Sequence, residues 1–560
     1  MNTTHKTLEN FNSLFEQDRV QPLMAWIDSA STEELPIAYN KLAAHIFHTC
    51  GQIDDIERMY FQIEKFDAII HHAITMLIQL YMAQGELLSK QNEDIANACK
   101  KLLKVQYRAY SIQLEYARKN ADKKQLLATS IHRIMIIQLY LHMISYIMYN
   151  AIADKEWLNL HRLYIIAEQN NLSNFSVKNK YSYIQKTISI SDLYTHALLM
   201  GCARLHTLNV SSILKALDFV FERAKLVCIS RCSNGKDNEI AVDIATGSAP
   251  NFRKFHIETS QSDFRYLYLN KLLESMKNIV VSNNVFNRCN LTEELKTHLV
   301  RAWGKHYTRE KRVTVDKNIE LTIGFSNLHY YLCGGKELKG FLGEQAELSI
   351  VYEEDELISV IEQQRSSDIW SPSISGPAGE LIHVELPETL AFQRYFELNE
   401  NININTHPKM SVRMIDQSLH GCCLELPKET IQHLTINDLV GFRDPQMNSH
   451  WQVGEITWFK IINDKVIQMG VRILGTESIP LAIDIPLHHG VHKNYTKGIL
   501  LPFENTLKLC TGILTEETIF EEGECLKVAQ KGLGKDMKLT SRIHQKERYT
   551  HFYCGFYVPI

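Results

Sequence analysis

Glycine and proline are nearly absent from the first 230 residues of this chain. Gly51 and Gly85 are the only glycines before Gly201, and Pro22 and Pro36 are the only prolines before Pro250. In a helix interior glycine costs about 1 kcal/mol and proline about 3 kcal/mol relative to alanine. A stretch this long with so few of either is suited to helix. Start signals recur within it. Ser31-Thr32-Glu33-Glu34 has capping-box spacing. Asn209 to Ser212 precedes Ile213, Leu214, Leu217 and Val220, which share one helical face. Gln125 to Asn150 is apolar nearly all round and reads as a central helix. Residues 1–230 are therefore expected to form an all-α array of antiparallel helices, bundle-like or solenoid-like. No strict period repeats, so a tandem-repeat family is not indicated.

At 560 residues the chain needs more than one core. A formal charge of -4 gives no overall electrostatic footprint for duplex nucleic acid. The twelve cysteines are scattered without repeated CxxC pairs and read as reduced core thiols. The N-terminal MNTTHKTLENFNSLFEQDRV has no apolar h-region and no cleavage pattern. The most apolar run, Ile134 to Met148, contains Gln138, His142 and Ser145 and reads as a buried helix, not a membrane span. Cytoplasmic is the expected location. His71-His72 and the pair His132, His142 lack the i, i+4 spacing with a nearby glutamate that a helical zinc site needs, so no metal site is expected there.

Past residue 230 the pattern changes. Residues 231–306 read as a mixed α/β connecting region. Ile240 to Ile244 is a strand candidate, and Asp243 to Ser248 runs on into a loop. Helical patterns cover Tyr266 to Lys277 and Leu291 to Trp303. Residues 307–480 read as a β-barrel with an insertion at 340–386, where Glu353-Glu354-Asp355-Glu356 and a Ser/Pro/Gly-rich stretch favour solvated chain. Ile319, Leu321 and Ile323 alternate with polar residues in a strand segment extending over Val313 to Leu332. Met410, Val412 and Met414 alternate in the same way. Cys422, Leu424 and Leu426 share a face of the next strand. Trp451 to Phe459 and Val466 to Leu474 follow, joined by the turn residues Asn463-Asp464-Lys465. Short strands at this spacing suggest a closed or nearly closed barrel.

Residues 485–560 form a further β-rich unit. Its strand candidates are Gly498 to Leu501, Leu507 to Leu514, Cys525 to Ala529, Met537 to Ile543 and Phe552 to Phe556. Lys531 to Lys535 is not a phosphate-binding loop, because Asp536 stands where Ser or Thr is needed. His488 to His492 has no further metal ligands nearby. The fold class expected is α+β multidomain: a helical array, a barrel with an insertion, and a β-rich C-terminal unit.

The stretch that carries chemistry is Asp416-Gln417-Ser418-Leu419-His420-Gly421. Asp416 and Ser418 sit two apart at a strand end, so a carboxylate and a hydroxyl face one way. Gly421 permits a close approach that a Cβ would block. A carboxylate accepts from guanine N1–H and N2–H₂, while an arginine fork matches guanine O6/N7 or a phosphate. Asp416-x-Ser418-x-x-Gly421 ahead of a strand resembles the DxSxxG signature of PilZ-type cyclic-di-GMP receptor domains. The strands with Gly454, Trp458 and Gly470-Val471 also resemble the end of such a barrel. The resemblance implies a bacterial six-stranded barrel with no catalytic chemistry. It also implies cyclic-di-GMP held between DxSxxG and an RxxxR segment ahead of the first strand.

Arg309-Glu310-Lys311-Arg312 is the basic run in that place, with RxxR spacing, one residue short; Thr308 stands where the first arginine would be. Arg394 is a second candidate, but Leu390 precedes it by four. The expected ligand-binding residues are Arg309, Arg312, Asp416, Ser418 and Gly421. With no HExxH, GxSxG or Rossmann glycine pattern, an enzyme is not expected. No cofactor is expected beyond the dinucleotide ligand. The function implied is a cytoplasmic cyclic-di-GMP effector whose helical region contacts a protein partner, by family analogy a surface-motility or envelope machine. The alternative is a nucleotide-independent scaffold with a degenerate barrel.

Overall fold

The computed structural model describes residues 20–51, 55–84, 90–120, 122–178, 187–235, 239–277, 291–304, 311–342, 407–447, 450–463, 465–485, 494–504, 511–516, 520–530, 533–545 and 548–556. The chain divides into two compact units. One takes residues 1–309 with 427–435 and 458–467, and the other takes 310–426, 436–457 and 468–560.

The first unit is mainly helical. Its helices are α1 (Val20–Ser29), α2 (Glu34–Gly51), α3 (Ile56–Gln84), α4 (Lys90–Lys119), α5 (Lys124–Ile147), α6 (Asp154–Gln169), α7 (Ile190–Cys202) and α8 (Val210–Arg223). The start signals work as the sequence suggests. Ser31 N–H donates to Glu34 Oε2 at 3.0 Å, and Asn209 Oδ1 accepts from Ser212 N–H at 2.9 Å. α4 buries one stripe, including Ile95, Cys99, Leu102, Gln106, Tyr110 and Leu114, and packs on α2, α3 and α5.

α5 is buried on almost every side and carries His132, Arg133, Gln138 and His142 into the core. It is long and apolar enough to cross a membrane, yet 89% of its most apolar window is buried inside the protein. The Arg133 guanidinium is held by Glu64 of α3 at 2.9 Å, and Tyr110 of α4 donates to the same carboxylate at 2.6 Å.

A small hairpin, β1 (Ser176–Lys178) with β2 (Thr187–Ser189), precedes α7. A four-stranded antiparallel sheet then has the order β3-β6-β4-β5, from β3 (Cys228–Ser230), β4 (Ile240–Asp243), β5 (Asn251–Phe252) and β6 (Phe264–Tyr268). The helical pattern at Tyr266 to Lys277 is corrected here. Phe264–Tyr268 is a strand paired on both sides, and helix runs only over α9 (Asn270–Lys277). α10 (Glu293–Gly304) closes the region. Asp243 serves its own turn, accepting from Ala245 N–H at 3.1 Å and Asp263 N–H at 3.0 Å.

The second unit holds two closed six-stranded barrels. The first is built from β7 (Val313–Ile323), β8 (Lys409–Ser418), β9 (Gly421–Pro427), β10 (Leu439–Arg443), β11 (Gln452–Ile461) and β12 (Val466–Gly475). The strand expected through Leu332 ends at Ile323. Gly324 takes φ +89°, and Phe325–Leu332 forms α11, followed by α12 (Leu338–Leu342). Most of the expected insertion, from residue 343, lies outside the described residues, as does His488 to His492.

The second barrel is built from β13 (Ile479–Ile485), β14 (Asn494–Leu501), β15 (Gly512–Thr515), β16 (Cys525–Gln530), β17 (Leu533–Gln545) and β18 (Thr550–Phe556). A helical region, a barrel and a β-rich C-terminal unit are thus the observed architecture.

Candidate functional site

The acid, hydroxyl and glycine lie where β8 turns into β9. Ser418 pairs with Gly421, which leaves Leu419 and His420 as the turn. The turn is tied down three ways. Ser418 Oγ donates to the Gly421 carbonyl at 3.2 Å. The His420 carbonyl accepts from Ile473 N–H of β12 at 2.9 Å. A Cβ on Gly421 would lie 2.5 Å from the Val471 carbonyl oxygen, so only glycine lets the third strand come this close to the sixth.

Asp416 pairs with Thr314 on one side and Cys423 on the other. Both ladders slip in register beside it, between Thr314 and Lys317 and between Met414 and Asp416. Such bulges re-aim a side chain at a barrel rim.

Arg312 stands directly before β7, and its Nη1 donates to Asp416 Oδ1 at 2.6 Å across 104 residues of sequence. Both partners are about a third exposed, at 35% and 28%. An ion pair so placed is worth only about 0.2–1 kcal/mol, so it is easily exchanged for other partners.

Several neighbouring charges are engaged with one another. Arg413 meets Asp316 at 2.7 Å and Glu425 at 2.9 Å, and its hydrogen bond holds the Asp316 carboxyl below its ordinary range. Lys317 does the same to Asp444 from 3.0 Å. Beneath the turn, burial pushes the Cys422 thiol up to about 12, with Cys423 and Asp416 adding to the rise. Cys422 is a neutral packing group.

Of the residues expected from sequence, Arg312, Asp416, Ser418 and Gly421 are brought together. Arg309 lies outside the described residues, and so do Arg394 and Leu390. Sequence reasoning passed over Val313 and Leu419, large apolar side chains left exposed beside Arg312 and in the turn. An apolar residue at a motif's variable position was the available signal. An acid, an arginine and two exposed apolar side chains thus stand at this end of the barrel.

A closed six-stranded barrel with this turn, and an arginine at the foot of its first strand, defines a PilZ-type domain, here carried behind a large helical region. Residues 240–480 match the family model described as the middle PilZ domain of the cyclic-di-GMP receptor FimW, and residues 21–234 match the one for its N-terminal domain. The two matches lie end to end and together span most of the chain. The cyclic-di-GMP receptor FimW of Pseudomonas aeruginosa is 22% identical over 505 residues, covering 88% of this chain and 82% of that protein. No solved structure matches the chain.

Proposed function

We propose that this chain is a cytoplasmic bacterial cyclic-di-GMP receptor and effector. Its first barrel holds the dinucleotide between the arginine segment and the Asp416 turn, and its helical region contacts a protein partner. The observation that carries this is the Arg312–Asp416 contact at 2.6 Å. That Arg312 and Asp416 meet although far apart in sequence supports this reading.

Binding is an exchange of partners. Arg312 leaves Asp416 for a phosphate or the O6/N7 edge of a guanine. Asp416 in turn accepts from a guanine N1–H and N2–H₂. Val313 and Leu419 border the ring. Arg309 is the second arginine of this reading. No covalent bond is made or broken, and no catalytic residue is assigned. The ligand alters the output only by preferring one arrangement of the chain over another.

Calorimetric titration of cyclic-di-GMP into the full chain tests this. Saturable heat is expected, weakened at least tenfold in Arg312→Ala and in Asp416→Ala. Absence of heat at high micromolar ligand, or affinity unchanged in both variants, overturns it.

The Ser418–Gly421 hydrogen bond favours a second reading, since it closes the turn without any ligand. On that reading the barrel is a nucleotide-independent scaffold. A co-purifying partner whose affinity ignores the dinucleotide would establish it.

A further inference from the structure

The two barrels of the second unit are wound in the same order. Number the strands of each by their order along the chain, and the first closes as 1-2-3-6-5-4, through β7-β8-β9-β12-β11-β10. The second closes as 1-2-3-6-5-4 as well, through β13-β14-β15-β18-β17-β16. The match to the PilZ domain stops at residue 480, only two residues into β13.

The correspondence extends to single residues. Ser418 pairs with Gly421 between strands two and three of the first barrel, and Leu501 pairs with Gly512 in the second. Gly512, like Gly421, begins strand three and is pressed on strand six, where its Cβ would lie 2.6 Å from His551 Nε2.

Counting back from that shared pair, the places of Asp416 and Ser418 are held by Ile499 and Leu501. Both are buried, at 0% and 2% exposure, in one cluster with Phe325, Leu328, Leu439 and Leu514. That cluster draws on both barrels and on α11. The intervening Leu500 and its partner Ile513 turn instead into the core of the second barrel. The polar edge of the first barrel is thus an apolar seam in the second. Ser478 stands directly before β13, where Arg312 stands before β7. Buried carboxylates seal the seam: Arg548 meets Asp438 at 3.1 Å and the Tyr549 hydroxyl donates to Glu455 at 2.9 Å.

We propose that residues 479–556 are a second PilZ-type barrel whose nucleotide edge has become a docking surface for the first, leaving one competent nucleotide site per chain. The count of one site rests on the receptor reading above. The docking surface does not. An acid and a hydroxyl replaced by two buried aliphatic side chains cannot recognise a guanine edge, and the seam already covers them.

Two measurements on the full chain test the proposal. In hydrogen–deuterium exchange, Leu501→Ser is expected to speed exchange at β10, β14 and β15 while the 416–421 turn is unchanged. If Leu501→Ser does not fold, Tyr549→Phe is the milder probe of the same seam. Exchange unaltered along the seam overturns the docking surface. In calorimetry, Asp416→Ala is expected to weaken all cyclic-di-GMP binding at least tenfold, leaving no site of unaltered affinity. Saturable binding that keeps its affinity in Asp416→Ala overturns the single site. No binding by the unaltered chain would instead overturn the receptor reading, and the exchange result would still decide the seam.

Discussion

Arg312 and Asp416 are separable from the residues that merely shape the rim. Their ion pair is partly solvated, so removing it costs the fold little. Arg312→Ala is expected to change the stability of the second unit by less than about 1 kcal/mol while weakening cyclic-di-GMP binding at least tenfold. Denaturation beside titration on one sample checks both halves, and a large stability loss would reassign Arg312 to structure. Gly421 is the opposite case. Its Cβ would sit 2.5 Å from the Val471 carbonyl, and backbone cannot yield as a flexible side chain does. Gly421→Ala is expected to cost about 1–3 kcal/mol, as overpacking in cores does, read as a lowered denaturation midpoint. The acid, hydroxyl and glycine were legible in the sequence because they sit within six consecutive positions. Their arginine partner was legible only as a basic run ahead of a strand. Contact between residues 104 positions apart comes from barrel closure, which no local pattern encodes.

Among the helices, the tie between α3, α4 and α5 is the test of how the first unit is held. Glu64 accepts from Arg133 and from Tyr110 at a largely buried junction. Glu64→Ala removes the carboxylate from both, and breaking one side of a buried pair costs about 3–5 kcal/mol. Loss of helical signal at lower urea than the unaltered chain would register it. A change within ±0.5 kcal/mol would show the junction to be dispensable. Element by element, sequence and structure part where both faces of a segment are covered. β8 alternates and was readable, and β9, β11 and β12 were readable as short strand-like runs between turn residues, although buried residues stand side by side in them. β10 is five residues, buried at four of them, and shows no period. Val313 to Leu332 looked like continuous strand, but Gly324 at φ +89° turns it into α11. There Leu328 and His329 are buried, His329 facing the Leu481 carbonyl at 2.9 Å. Ile499 and Leu501 looked like ordinary strand residues. Only the shared winding shows that they occupy the places of an acid and a hydroxyl.

For the molecule in solution, the buried histidines of the first unit make acidity a direct load on its core. Burial lowers His132, His142 and His196 to about 3 and His161 to about 4, from an ordinary 6.5. Arg133 adds to the effect at His132, whereas the Ile188, Ser248 and Leu217 carbonyls and Asp243 oppose it at individual rings. The sign follows from proton binding. Unfolding lets each imidazole take up a proton that the core refuses, so the unfolded state binds more protons below pH 6.5. Their full contribution is present above the unfolded value and is lost as pH falls from about 6.5 toward 3–4, by up to about 1.4 kcal/mol per pH unit for each histidine. Glu168, kept low by Arg265 and Arg231 against the opposing effect of its burial, adds its own loss only nearer the carboxylate range. Between pH 6.5 and 4.5 the slope therefore belongs to histidines. Because two units are present, a single melting temperature would blur the effect. Amide exchange along α5 and α7, measured at pH 7 and pH 5 and corrected for intrinsic rates, isolates it. Protection there is expected to fall more steeply than in β16–β18. His142 packs on Trp157 at 5.0 Å between ring centroids, with neither ring nitrogen hydrogen-bonded. His142→Phe should flatten that acid slope while costing less than about 1.5 kcal/mol at pH 7, as volume-conserving core changes do. An unchanged slope would mean that the core opens to water before these histidines titrate.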